Sequence, residues 1–345
     1  MRSAALVFGL LRLSSGCTKV VLSNDDGWAE INIRTFYNAL TAAGNNVILS
    51  APAENKSGTG KELSRSASAM DALTDTWLLG SSDAPATSIV QACEFNSCPA
   101  GSPAEGNDAS NSDLNYVNSY PVTSMRYGIQ TLAPKYFQGP PDIAVAGFNV
   151  GGKRSWIFLI QTPTESISLA NLGTTVLISG TVGAATEAAK EGIPAIAFSG
   201  TTGSQTEYTA SREPYVNVYA YLSTNVTQSL VASGKPYLPS NIWLNVNYPA
   251  VSGGICSSTA DFKFVLSRIN SALSSTPADI STCGSSRLPT ETKVVGTAGC
   301  YASISVGVAT TKGDASAADQ AVVLTKLATI LSCLSSWRVP CTARS

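Results

Sequence analysis

The apolar residues of this chain gather in short runs bounded by Gly, Pro, Asn or Ser. The runs are "TKVVLS" (18–23), "NNVILSAP" (45–52), "PDIAVAGFN" (141–149), "TTVLISG" (174–180), "IPAIAFSG" (193–200) and "IWLNVNYP" (242–249). A strand that is apolar on both faces must be covered on both, as in a parallel sheet held between two helical layers. Segments with helical spacing separate the runs. "AEINIRTFYNALTAA" (29–43) places Ile33, Phe36, Tyr37 and Leu40 on one face and stops at Gly44. "GAATEAAKEG" (183–192), residues 214–233 and residues 315–334 read as further helices, and 250–310, richer in Ser, Gly and Cys, as strands and loops. The expected fold is α/β: a doubly wound, mostly parallel sheet with helices on both faces and a Ser/Gly/Cys-rich C-terminal extension. Its 345 residues suit one large domain with an appendage.

Ligands of an open parallel sheet bind beyond the carboxyl ends of its strands. After the first run stand Asn24, Asp25, Asp26 and Gly27. After the second come Asn55, Ser57 and Gly58, after the third Asn149, and after the fourth Ser179, Gly180 and Thr181. Each group alone has an ordinary explanation. "NDDG" suits an Asx-type turn, and "SGTVG" a capped helix start. Four groups converging on one sheet edge point to a site. Two carboxylates, a hydroxyl and an amide carbonyl form an all-oxygen set, which suits a hard cation such as Mg²⁺ or Mn²⁺. The N–H groups opening the helix at "SGTVG" suit a phosphate.

Composition narrows the chemistry. The chain has no histidine, which removes imidazole acid–base catalysis, His-ligated zinc and His-based triads. A net charge of −1 gives no field for a nucleic acid polymer or an anionic membrane, and no internal run is long and apolar enough to span a bilayer. A dehydrogenase reading lacks GxGxxG after the first strand, and a serine hydrolase reading lacks GxSxG. A non-enzymatic α/β binding protein with a degenerate site stays open as the alternative to an enzyme.

The motifs "LSNDDG" (22–27), "SAPAENKSG" (50–58), "PDIAVAGFNVG" (141–151), "SGTVGAATEAAKEGIPAIAFS" (179–199) and "LNVNYP" (244–249) resemble those of the survival-protein SurE family of phosphatases and nucleotidases, in its secreted, cysteine-containing fungal branch. The resemblance covers about residues 18 to 250. It implies a Rossmann-like three-layer fold and hydrolysis of phosphate monoesters, especially nucleoside 5′- and 3′-monophosphates. It implies Asp25, Asp26, Ser57 and Asn149 as ligands of a divalent cation. Ser179, Gly180 and Thr181 take the place of the family's phosphate-contacting loop. Asp25 and Asp26 are then the catalytic carboxylates, with Asp25 nearest the attacking oxygen. A homodimer is also implied.

Residues 1–17 read as a secretory signal peptide: a basic residue, an apolar run, then small residues. Eight cysteines fit an oxidising compartment, so the chain is expected to be secreted. Cys93 and Cys98 are spaced for a small loop-closing disulfide, and the other pairings stay open. Asn55 and Asn225 lie in glycosylation sequons. Segments 61–79 and 153–169 interrupt the family pattern. Each begins at a Gly-Lys pair and ends in leucine, which can encode eukaryotic splice boundaries, so we read both as retained introns. Ordinary surface-loop insertions are the alternative.

Overall fold

A computed structural model of the chain describes residues 17–59, 84–151, 170–252 and 254–335. Residues 1–16 of the expected leader, both insertions and Cys341 lie outside the described residues.

In chain order, β1 (Lys19–Ser23) leads through α1 (Ile31–Ala42) to β2 (Asn46–Pro52), β3 (Glu105–Asp108) and β4 (Asn111–Val117). Helices α2 (Pro121–Tyr127) and α3 (Ala133–Phe137) precede β5 (Ile143–Val150). Then come α4 (Gly180–Lys190), β6 (Ala195–Gly200), α5 (Pro214–Ala232), β7 (Ile242–Tyr248), β8 (Lys263–Ser267), α6 (Glu291–Val295), β9 (Tyr301–Val308) and α7 (Ala317–Lys326). One nine-stranded sheet runs β3-β4-β2-β1-β5-β6-β7-β9-β8. From β4 to β7 all neighbours are parallel. β3 and β9 run antiparallel to β4 and β7, and β8 runs parallel to β9.

The buried runs explain the layers. In β1, Val20 and Leu22 join the apolar cluster of α1 and α5, while Val21 joins that of α2, α3 and α4. Helix α1 starts where the Glu30 carboxylate accepts from the Asn32 N–H at 2.7 Å, and it buries Ile33, Phe36, Tyr37 and Leu40. Helix α4 is nearly all small residues, so it lies close on the sheet. A Cβ on Gly180 would come within 2.7 Å of the Asp25 Cβ.

The chain leaves β1 toward β2 on one side and returns to β5 on the other. The strand order therefore reverses between β1 and β5, where a doubly wound sheet opens a crevice at its carboxyl edge. The register of β5 against β6 shifts between Ala146 and Asn149, beyond which Asn149 pairs with Ser199. A bulge of this kind re-aims the side chains that follow it.

Two expectations need correction. "TTVLISG" is not a strand: Gly173–Leu177 is a 3-10 turn leading into α4. Of its apolar residues only Val176 is buried, whereas Leu177 is 52 % and Ile178 39 % exposed. The place beside β5 that this run would have filled belongs to β6. The closing helix is also shorter than 315–334, ending at Lys326. Strands β3 and β4 were not expected. β4 reads "NSDLNYV", too polar at its start to announce itself, and it is held by parallel pairing of Leu114–Val117 with Leu49–Pro52.

The C-terminal region completes the sheet with β8 and β9. Disulfides Cys256–Cys300 and Cys283–Cys333 tie its loops down.

Candidate active site

The segment after β1 answers both readings of "NDDG" at once. Asn24 makes the turn: its Nδ2 donates to the Gly27 carbonyl at 3.0 Å, and its Oδ1 accepts from the Gly27 N–H at 3.2 Å. Gly27 supplies the positive φ of +110°. Because Asn24 closes the turn, the two aspartates are free for other partners, yet both are buried, at 1 % and 0 % exposure.

Asp25 meets the start of α4. Its Oδ1 accepts from the Thr181 hydroxyl at 2.6 Å. Burial pushes its carboxyl up, and the Thr181 hydroxyl and the backbone N–H groups of Thr181 and Gly180 pull it back. Ser179 is the N-cap, with its Oγ accepting from the Val182 N–H at 3.1 Å. The carboxylate of Asp25 therefore lies against the start of α4, beside the segment that the sequence suggests for phosphate. What Ser179 retains for a ligand is its hydroxyl proton.

Asp26 meets the loop after β2. Its Oδ1 accepts from the Ser57 hydroxyl at 3.2 Å and from Gln205 Nε2 at 2.5 Å. Asn55 braces both donors: its Oδ1 accepts from the Ser57 N–H at 2.7 Å, and its Nδ2 donates to Gln205 Oε1. The other Asp26 oxygen, Oδ2, is buried and has no hydrogen-bond partner among the described residues. Burial pushes the Asp26 carboxyl well up, as does the neighbouring charge of Asp25, against the hydrogen bonds of Gln205 and Ser57.

Two more carboxyls lie close. Glu30, fully buried, is pushed well up by burial and then by Asp26. Glu94, in the loop closed by the Cys93–Cys98 disulfide, sets Oε2 2.6 Å from where a Cβ on Gly27 would stand. Burial pushes it up to about 7.

Asn149 stands at the end of β5, across the switch point from β1. Its Nδ2 donates to Asn171 Oδ1 at 3.2 Å. The structure thus joins Asp25 with Gly180 and Thr181, and Asp26 with Ser57. Asn149 and Ser179 sit on neighbouring elements without a bond to either carboxylate. Sequence reasoning missed Gln205, Asn171 and Glu94 as site residues. Gln205 follows β6 in "TTGSQTEY", so the strand-end rule applied to the next strand would have found it. Asn171 and Glu94 carried no such signal, since one adjoins an insertion and the other lies in a loop between unexpected elements.

The donor set fits a hard cation. Among the described residues no three His, Cys, Asp or Glu side chains group as metal ligands, so a cation would rely on two carboxylates with hydroxyl and amide oxygens. That is the chemistry of Mg²⁺ or Mn²⁺ sites, which also keep water ligands. A buried carboxylate oxygen without a partner, beside a second carboxylate, is a costly arrangement that a bound cation would relieve.

Residues 20–160 and 168–269 match the family described as Survival protein SurE. An "Acid phosphatase" of Yarrowia lipolytica is 31% identical over 317 residues, covering 84% of this chain and 78% of that protein. A "5'-nucleotidase SurE" of Lawsonia intracellularis is 27% identical over 235 residues, and one of Nostoc sp. 30% over 233. Each covers 68% of this chain, which spans 66% and 64% of their lengths, just under two thirds. The SurE protein of Aquifex aeolicus shares the fold, with a TM-score of 0.52 at 20% identity, covering 84% of this chain and 93% of that one. With the motif-bearing strands on one shared edge and more than half of the chain matched by the family, the chain belongs to the SurE family.

Proposed function

We propose that this chain hydrolyses phosphate monoesters, nucleoside 5′- and 3′-monophosphates among them, with Mg²⁺ or Mn²⁺ held by Asp25, Asp26, Ser57 and Asn149. The unpartnered, buried Oδ2 of Asp26 is the observation that carries this reading. The names of the yeast and bacterial relatives support the reaction class. A bound cation would polarise a phosphoryl oxygen and make water a stronger acid.

The chain's own groups do the rest. Asp25, fixed at one oxygen by Thr181, is the carboxylate placed to orient an attacking water. Ser57 and Gln205 hold one oxygen of Asp26, and the other would be available to a cation. Ser179 offers its hydroxyl proton to a phosphoryl oxygen, and Gly180 lets the helix start approach closely. Phosphoryl transfer depends mainly on positioning and charge neutralisation, so a site without histidine suffices. The three disulfides support an oxidising compartment, and with it secretion.

The test is phosphate release from a nucleoside monophosphate and from p-nitrophenyl phosphate, with Mg²⁺ or Mn²⁺ and with EDTA. It is run on this chain and on one lacking 61–79 and 153–169. Release that EDTA abolishes is expected. Release in the shortened chain alone would support the intron reading of both segments. Silence from both folded chains would overturn the proposal in favour of the binding-protein alternative.

A further inference from the structure

Glu291 opens α6, far in sequence from every motif residue, and is fully buried. The donors to its carboxyl are neutral. Its Oε1 accepts from the Gly173 N–H at 2.6 Å, and its Oε2 accepts from Asn245 Nδ2 at 2.9 Å. Asn245 Nδ2 also donates to the Asn171 carbonyl at 2.7 Å. Glu291 therefore grips the 171–173 turn at both ends, directly at Gly173 and through Asn245 at Asn171. The Asn171 N–H is fixed as well, donating to Ser199 Oγ at 2.9 Å.

With its backbone held on both sides, Asn171 turns its side chain to Asn149. Its Oδ1 receives Asn149 Nδ2. A side-chain amide whose nitrogen is held in this way presents its carbonyl oxygen elsewhere. That oxygen is the atom a hard cation takes. Asn171 Nδ2, in turn, is buried and has no hydrogen-bond partner among the described residues.

We propose that Glu291 is a positioning residue of the candidate site: by clamping the 171–173 turn it sets Asn171, and through Asn171 it holds the amide of Asn149 with its oxygen free for the cation. This inference rests on the reading of Asn149 as a ligand. It makes the C-terminal region a working part of the site.

The test is Mn²⁺ titration by calorimetry and by electron paramagnetic resonance on the full chain and three variants. Glu291→Ala should weaken Mn²⁺ binding about 10- to 100-fold, the usual cost of losing a group that orients a ligand. Glu291→Gln, which keeps one good acceptor, should fall between. Val294→Ala opens a cavity in the same helix without touching the turn, so it should lower the unfolding temperature and leave Mn²⁺ affinity unchanged. Unchanged affinity in Glu291→Ala, or an equal loss in Val294→Ala, would overturn the proposal. Should Glu291→Ala not fold, Asn245→Ala severs one arm of the clamp, and undiminished Mn²⁺ binding there would overturn it equally. A wild-type chain that neither binds Mn²⁺ nor releases phosphate would overturn the function along with this inference. A wild-type chain that binds Mn²⁺ beside unweakened variants would overturn this inference alone.

Discussion

Two regions of this molecule bury aspartates, and they do so in opposite ways. In the C-terminal region Asp279 receives Arg268 Nη1 on both oxygens, at 3.0 and 2.9 Å, while Arg268 Nη2 reaches Asp314 at 3.3 Å. Burial there pushes Asp279 up, but Gln320, the Leu288 N–H and Arg268 outweigh it and leave the carboxyl below its ordinary range. At the β1–β5 crevice, Asp25 and Asp26 are buried more deeply, against hydroxyls and amides, and both are pushed up. The first arrangement is complete. The second leaves Oδ2 of Asp26 without a hydrogen-bond partner among the described residues. Buried acid is therefore not one kind of feature, and the partner separates a structural clasp from a site.

The largest effect that could break this contrast is on activity. Asp26→Asn should lower kcat at least about a thousandfold, because several kcal/mol of charge stabilisation depend on this carboxylate. Its thermal unfolding should hold or rise, since one of two crowded like charges is gone. Activity assays beside melting curves check both halves. An Asp26→Asn chain as destabilised as a clasp variant would erase the distinction.

The complementary change is Arg268→Ala. It leaves Asp279 to Arg287, Gln320 and the Leu288 N–H and should cost about 1.5–3 kcal/mol of stability in urea unfolding. Mn²⁺ affinity in the fraction that stays folded should not change.

Ligand linkage sharpens the contrast further. Mn²⁺ at a hundred times its dissociation constant should stabilise the wild-type chain by about 2.7 kcal/mol. EDTA should remove the gain, and Asp26→Asn should never show it. A gain that persists in the variant would place the cation elsewhere.

The gentlest effect concerns pH. Burial pushes Glu291 up to about 8, from an ordinary value of 4.5. The unfolded chain releases this proton near the lower value and the folded chain keeps it until the higher one. The native state thus binds the extra proton across that window, and the contribution of this group to stability declines as pH rises through it. Glu291→Gln should flatten that part of the stability–pH profile. Chemical denaturation at several pH values would show the slope in the wild type and its absence in the variant.

The sequence announces the parts of this molecule whose physics is local. Apolar runs such as "KVVLS" and "AIAFS" suit strands covered on both faces, and "SGTVGAA" suits the start of a helix that sits close to its neighbour. The carboxylates at 25 and 26 are legible because the strand-end rule needs only the chain before them. "TTVLISG" misleads for the opposite reason: its β-branched residues have strand propensity, but the sheet position they would take is filled by a segment twenty residues later. Gln205, Asn171 and Glu291 matter through partners distant in sequence. Glu291 bonds a turn 118 residues before it, which no local pattern encodes.

The placement of β9 between β7 and β8 carries a practical consequence. A fragment cut after residue 250 would keep every motif residue and still lose β9, which covers the edge of β7, and β8 beyond it. All seven residues of β7 are buried, from Ile242 to Tyr248. Stripped of β9, that strand would present a bare row of backbone donors and acceptors, a template for pairing with other chains. A fragment of this kind should aggregate on expression, and its insolubility would say nothing about its chemistry.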